Sequence, residues 1–162
     1  MVSDVNCLRP ISYVGDLESL LDALWLSRNR AALEAYCGPE QHGGRSDATL
    51  VALAILVTAQ LRKQANLPTL IKKADLYQGY YDLAWRPGTL VHLAEAGISG
   101  RDWLAVDSAF SSDQFRIKLG LAVGPLRALS DFSIAQGKRS AVHLFCALAR
   151  GLPNFVSEEC AG

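Results

Sequence analysis

The sequence is poor in the patterns that announce chemistry. Of its 162 residues only three are histidine (His42, His92, His143) and four are cysteine (Cys7, Cys37, Cys146, Cys160), with no two cysteines in a CxxC pair. A structural zinc site needs closely spaced ligand pairs and a haem attachment site needs CxxCH, so no metal and no cofactor is expected. GxGxxG, P-loop, HExxH and GxSxG motifs are missing as well, and with them the usual signs of dinucleotide, nucleotide, metalloprotease and hydrolase chemistry. The first residues lack the basic segment and apolar core of an export signal, which makes the cytoplasm the expected compartment and reduced thiols the expected state. The longest apolar run, around Leu50–Ala59, is too short to span a bilayer and is interrupted by Thr58, so no membrane is expected as partner.

Excess charge of either sign is also lacking. Lys+Arg and Asp+Glu number 16 each, and the sequence pI is near 6.8. No long-range field therefore draws the chain to nucleic acid or to an anionic surface. Acids outnumber bases in the first sixty residues and bases outnumber acids after them, a mild asymmetry that a solvated surface accommodates. Valine, isoleucine and threonine are sparse beside alanine and leucine, a bias toward helix over strand.

What is present is hydrophobicity at helical spacing. Half of the residues are hydrophobic. The length suits one domain, and about 70% of the unfolded surface of such a chain can be buried without staples. Residues 1–15 read as an extended arm. Asp16 caps a helix whose Leu17, Leu20, Leu21, Leu24 and Trp25 recur at threes and fours, with Ser27 and Asn29 as interruptions before Gly38-Pro39 stops it. A polar loop over 38–46 leads to a second helix, Ala48 to Gln64. Because this helix is apolar nearly all round, the pattern places it at the centre of a bundle, with Leu53 and Leu56 or Val57 inaccessible.

Pro68 opens a third helix to about Trp85, and Arg86-Pro87-Gly88 ends it. Short helices follow from Thr89 to Ala96 and from Arg101 to Phe110. Ser111 and Gln114 form a capping-box pattern that opens a longer helix through Phe132, kinked at Gly124-Pro125. A last helix runs from Ser140 to Arg150, and 152–162 is a tail. The expected fold is all-α, a single-domain helical bundle of five to seven helices.

Three groups of residues are candidates for function. Arg62, Lys63, Lys72, Lys73, Arg116 and Lys118 lie on helices that could follow a nucleic-acid backbone through its phosphates; a solvated face accounts for them equally. Trp25, Trp85 and Trp103 exceed what a small core easily hides, and tryptophan is favoured at interfaces. His143 and Cys146, three apart on the last helix, share a face that suits a Cys/His pair; burial of a small thiol accounts for Cys146 as well.

Two segments resemble the small helical subunit of type III CRISPR effector complexes. One is Leu67-Pro68-Thr69-Leu70-Ile71-Lys72-Lys73-Ala74-Asp75-Leu76-Tyr77-Gln78-Gly79-Tyr80, similar to that family's proline-led helix. The other runs from Asp113-Gln114-Phe115-Arg116-Ile117-Lys118-Leu119 to Leu126-Arg127-Ala128-Leu129, similar to its late helix, although the Gly124-Pro125 break departs from it. The resemblance implies an all-helical, non-enzymatic subunit that stacks beside its copies and contacts a nucleic-acid backbone. The sequence thus reads as a non-catalytic binding or assembly module with a protein partner or self-association, and nucleic acid as a further candidate. The rival is a helical small-molecule binder, or an enzyme using His143 and Cys146.

Overall fold

The computed structural model describes residues 12–39, 41–69, 84–128, 131 and 133–150. Among them are five helices: α1 (Asp16–Cys37), α2 (Ala48–Gln64), α3 (Arg86–Glu95), α4 (Gly100–Ser112) and α5 (Ala141–Leu148). Between α4 and α5 come four two-residue strands: β1 (Gln114–Phe115), β2 (Lys118–Leu119), β3 (Ala122–Val123) and β4 (Arg127–Ala128). The chain is mostly helical, as its composition indicates, but it is not purely so.

Helix α1 is unbroken. Ser27 and Asn29 do not interrupt it, because their side chains donate back to the carbonyls of Leu24 (2.8 Å) and Trp25 (2.9 Å) in the same helix. Its buried face is Trp25, Asn29, Leu33 and Cys37, one residue every fourth position. The expected stripe of Leu17, Leu20, Leu21 and Leu24 is exposed; burial begins only at Trp25.

Helix α5 packs against both α1 and α3, and α3 packs against α4. Leu33, Leu93, Ile98, Ile134, Leu144 and Ala147 form the centre of this core. Two tryptophans lock it. Trp25 Nε1 donates to the Asp102 carbonyl at 2.8 Å, joining α1 to α4, and Trp103 Nε1 donates to the Leu90 carbonyl at 2.9 Å, joining α4 to α3. Each buries its ring while satisfying its one donor.

Two expectations fail here. The triplet Arg86-Pro87-Gly88 does not end a helix; it begins α3, with Pro87 in the first turn, where a missing N–H costs nothing. The expected helix from Pro68 to Trp85 falls largely on 70–83, outside the described residues, while 67–69 is not helical. The second failure is the kinked helix expected after Ser111. Residues 114–128 form an antiparallel hairpin instead, with Gln114 opposite Ala128, Phe115 opposite Arg127, Lys118 opposite Val123 and Leu119 opposite Ala122. Its tip is Gly120-Leu121, with Gly120 at φ 59 and Leu121 at negative φ, the pattern of a type II′ turn. Residues 116–117 on one strand face the longer 124–126 on the other, a bulge that accommodates Pro125, and Gly124 N still bonds Ile117 O at 2.9 Å.

The largest correction concerns α2. Its bounds agree with the sequence expectation, and its end is a Schellman cap: Asn66 at φ 54, with Leu67 N bonded to Arg62 O (2.9 Å) and Asn66 N to Lys63 O (3.1 Å). Yet none of its residues is buried, and Leu53 is 57% and Leu56 63% exposed. The core is closed by α1, α3, α4 and α5 without it. We expect Leu93→Ala to cost about 2–5 kcal/mol, as for a fully buried leucine. Leu53→Ala should stay within about 0.5 kcal/mol, as at an ordinary surface position. Urea midpoints of the two variants, read side by side, check both.

Candidate functional site

Two charged arrangements, neither visible in the sequence, determine how the helices are held. The first centres on Asp113, just past the end of α4. Its carboxylate meets Arg86 Nη2 at 3.3 Å and Lys138 Nζ at 3.2 Å, and Lys138 also reaches Glu18 at the start of α1, at 2.7 Å. Arg86 is buried, donates from Nε to Ser133 O (2.7 Å) and from Nη1 to Phe110 O (2.5 Å), and lies over the Phe110 ring. Burial pulls the Arg86 pKa down, against the opposing pull of Asp113. At Lys138 burial also pulls down, but Glu18 and Asp113 outweigh it and the pKa is raised. One carboxylate thus joins four parts of the chain: the N-terminus of α3, the end of α4, the strand-like stretch 133–138 and the start of α1. Nearby, Asp22 of α1 accepts from the backbone N–H of Ser140 (3.1 Å) and from its hydroxyl, holding the N-cap of α5.

The second arrangement holds the root of α2. Arg45 Nη2 donates to the carbonyls of Glu34 (2.7 Å) and Gly38 (2.6 Å), which satisfies the end of α1. The loop before it lies directly on α5. A β-carbon at Gly43 would come within 2.8 Å of Cys146 Sγ, and one at Gly44, where φ is 72, within 3.2 Å of His143 Cε1. Only glycine permits that approach. Helix α2 therefore leaves the core from a fixed point.

The Cys/His pair on α5 has the wrong electrostatics for nucleophilic chemistry. Burial raises the Cys146 pKa, and burial followed by Cys146 pushes Cys37 up to about 11, so both thiols stay protonated near neutral pH. His143 is buried, and burial, then Arg30, lowers its pKa despite Glu34 at 3.8 Å. Neither ring nitrogen of His143 has a hydrogen-bond partner among the described residues. A third cluster joins α1 to α3: His92 Nδ1 lies 2.6 Å from the Tyr36 hydroxyl, which donates to Glu95, and Arg150 covers the Tyr36 ring. Burial and the Glu95 bond raise the Tyr36 pKa, so the phenol remains a donor. Among the described residues no group of three His, Cys, Asp or Glu is placed to hold a metal, and no helix is long and apolar enough to cross a membrane.

The expected basic set is not brought together on two helices. Lys72 and Lys73 lie outside the described residues. Arg62 and Lys63 occupy the last turn of α2, while Arg116 and Lys118 are exposed on the hairpin rather than on a helix. Arg62 is spent on its own chain, donating to Pro68 O (3.0 Å) and Thr69 Oγ1 (3.2 Å). Of the expected interface tryptophans, Trp25 is buried and Trp103 half-buried in the core, because their N–H groups and rings find partners there; Trp85 is 47% exposed. Open grooves run along α2, one of about 350 Å³ lined by Val51, Ile55, Thr58 and Arg62, another bordered by Leu56, Lys63 and Leu67. The feature that sequence reasoning misplaced is α2 itself: it was read as core and is surface.

No protein-family model, no curated protein and no solved structure matches this chain.

Removing the shared carboxylate leaves buried Arg86 without its ion-pair partner, so Asp113→Ala should cost about 3–5 kcal/mol in chemical denaturation. His143 sets a pH dependence. Above about pH 6.5 the ring is neutral in both states and exacts no penalty. As the pH falls further, the unfolded chain takes up a proton that the folded chain resists, so stability drops until the lowered folded pKa is passed. The melting temperature of wild type should therefore decline from about pH 6.5 downward more steeply than that of His143→Gln.

Proposed function

We propose that this chain is a non-catalytic assembly module whose docking element is α2, serving a protein partner or self-association. The observation that carries this reading is a seventeen-residue helix with regular bounds and a capped end, none of whose residues is buried and none of which joins the core formed by the described residues. Leu50, Leu53, Ile55, Leu56, Val57 and Leu61 are all at least half exposed. A contiguous apolar surface of that kind marks an interaction site in a soluble protein. An amphipathic or apolar helix offered to a partner is also a recurring mode of recognition. The glycine loop and Arg45 fix the helix at its root, which limits the ordering cost of binding. The protonated thiols speak against a thiolate nucleophile in the rival enzyme.

A nucleic-acid backbone, the ligand suggested by the resemblance to the CRISPR small subunit, has less support. It would have to rely on Lys63, Arg116 and Lys118, which sit on separate elements, and on Lys72 and Lys73.

The test separates fold from docking. Leu53→Glu/Leu56→Glu should melt within about 2–4 °C of wild type, the shift of about 1 kcal/mol at this size. The same variant should lose whatever self-association or defined protein complex the wild type forms in sedimentation. A collapse of the melt would mean that α2 belongs to the core. Labelled single-stranded RNA, titrated at low and moderate salt, should give no salt-sensitive binding. A signal that weakens with salt and disappears in Lys63→Glu/Lys118→Glu would put a phosphate backbone in place of the protein partner.

A further inference from the structure

We infer that the hairpin over 114–128 is a lipid-contacting element, whose tip enters a bilayer surface rich in anionic headgroups while the basic residues behind the tip hold it there. The inference does not depend on the docking role of α2. The four strands of the hairpin pair only with one another, and none of its residues belongs to the core cluster. Apart from half-buried Phe115 and Gly124, every hairpin residue whose side chain is described is exposed. Leu121, at the tip, is fully exposed, and Ile117, Val123 and Leu126 are each more than half exposed. Apolar side chains on an arm that covers no core gain free energy by entering an apolar phase.

Charge names the surface. Arg116, Lys118 and Arg127 are the only charged residues between Asp113 and Asp131. Among the described residues, none of their side chains has a hydrogen-bond or ion-pair partner. Asp113, the acid just before the hairpin, is already held by Arg86 and Lys138. The whole-chain balance of zero thus conceals three uncompensated cations on the hairpin and leaves three more acids than bases in the rest. That polarity turns the hairpin toward an anionic surface and the remainder of the chain away from it.

Position separates lipid from the other common polyanion, nucleic acid. Lys118 lies opposite Val123, one step behind the Leu119–Ala122 pair that closes the tip, and Arg127 lies opposite Phe115 at the base. At about 3.3 Å per residue, Lys118 stands roughly 7 Å and Arg116 roughly 13 Å behind Gly120 along the strand. Apolar side chains buried about 5–10 Å into the headgroup boundary, with cations at headgroup level, have that spacing, and the aliphatic stem of Lys118 lets its ammonium reach back to the phosphates. A single-stranded nucleic acid calls instead for stacking aromatics beside the cations. Here the leading side chain is a leucine, and the one aromatic of the hairpin, Phe115, is half-buried at its base. Lying on a bilayer needs no spanning segment, so the short apolar runs of the chain do not oppose it. With three cations and a few apolar side chains, binding is weak and reversible.

Flotation of the full chain with vesicles tests the inference, using phosphatidylcholine alone and phosphatidylcholine with phosphatidylserine in equal parts. Wild type should float with the mixed vesicles only, and added salt should release it. Leu121→Asn keeps the charge and should weaken binding about tenfold, the effect of withdrawing one leucine from an apolar phase. Arg116→Gln/Lys118→Gln keeps the apolar tip and should weaken binding about thirtyfold, the effect of two cations at an anionic surface. Both variants should melt as wild type does, because the changed side chains are exposed and outside the core. A wild type that floats with neither vesicle overturns the inference. So does binding that is equal with and without phosphatidylserine, or that survives both sets of substitutions, since another surface then carries it. Binding lost in Arg116→Gln/Lys118→Gln but untouched by Leu121→Asn overturns insertion of the tip. Labelled single-stranded RNA held at low salt by a wild type that ignores vesicles puts a phosphate backbone in the place of lipid.

Discussion

The Asp113 carboxylate is the point on which the fold turns. It meets two cations, Arg86, which is buried, and Lys138, which is half-buried. A buried cation is costly unless it is paired and hydrogen-bonded. Arg86 meets that requirement by adding the carbonyls of Ser133 and Phe110, and Lys138 by adding Glu18. The consequence is geometric. The start of α3, the end of α4 and the stretch that leads into α5 must converge on one carboxylate, and Glu18 brings α1 to the same place. The apolar core then fills the space between helices whose ends are already fixed.

That arrangement explains why α2 can lie outside the core. The four other helices close over Leu33, Leu93, Ile134 and Leu144 with no contribution from it. What α2 receives from the core is a root. Arg45 completes the C-terminus of α1, and the two glycines bring the backbone onto α5. Directional polar contacts hold the base of the helix, while its apolar residues stay exposed.

The same packing gathers the groups that suggested chemistry in the sequence into one largely buried setting. Cys37, Cys146 and His143 lie close to the junction of α1, α5 and the glycine loop, where burial keeps the thiols protonated and the imidazole neutral. The Tyr36–His92–Glu95 cluster, though partly accessible, is used to tie α1 to α3.

Local chemistry was legible in the sequence. The bounds of α2 and the end of α1 at Gly38 follow from spacing and helix-breaking residues, which act within a few residues, although the N-cap of α1 is Gly15 and not the expected Asp16. The hairpin was legible too, but was misread: Phe115-Arg116-Ile117-Lys118-Leu119 alternates apolar and basic residues, and Gly120 and Gly124-Pro125 mark its turn and bulge. The capping-box pattern at Ser111 and Gln114, which favours helix, competes with that period of two. What no local pattern contains is which apolar surface is covered. Leu53 and Leu93 look alike along the chain; one is exposed and the other wholly buried. Hydrophobicity says how much surface seeks cover, whereas the cover itself is set by contacts between residues far apart in sequence, such as Arg86 with Asp113 and Asp22 with Ser140. Among the described residues, those long-range contacts place α1, α3, α4 and α5 around one core and leave α2 at its surface.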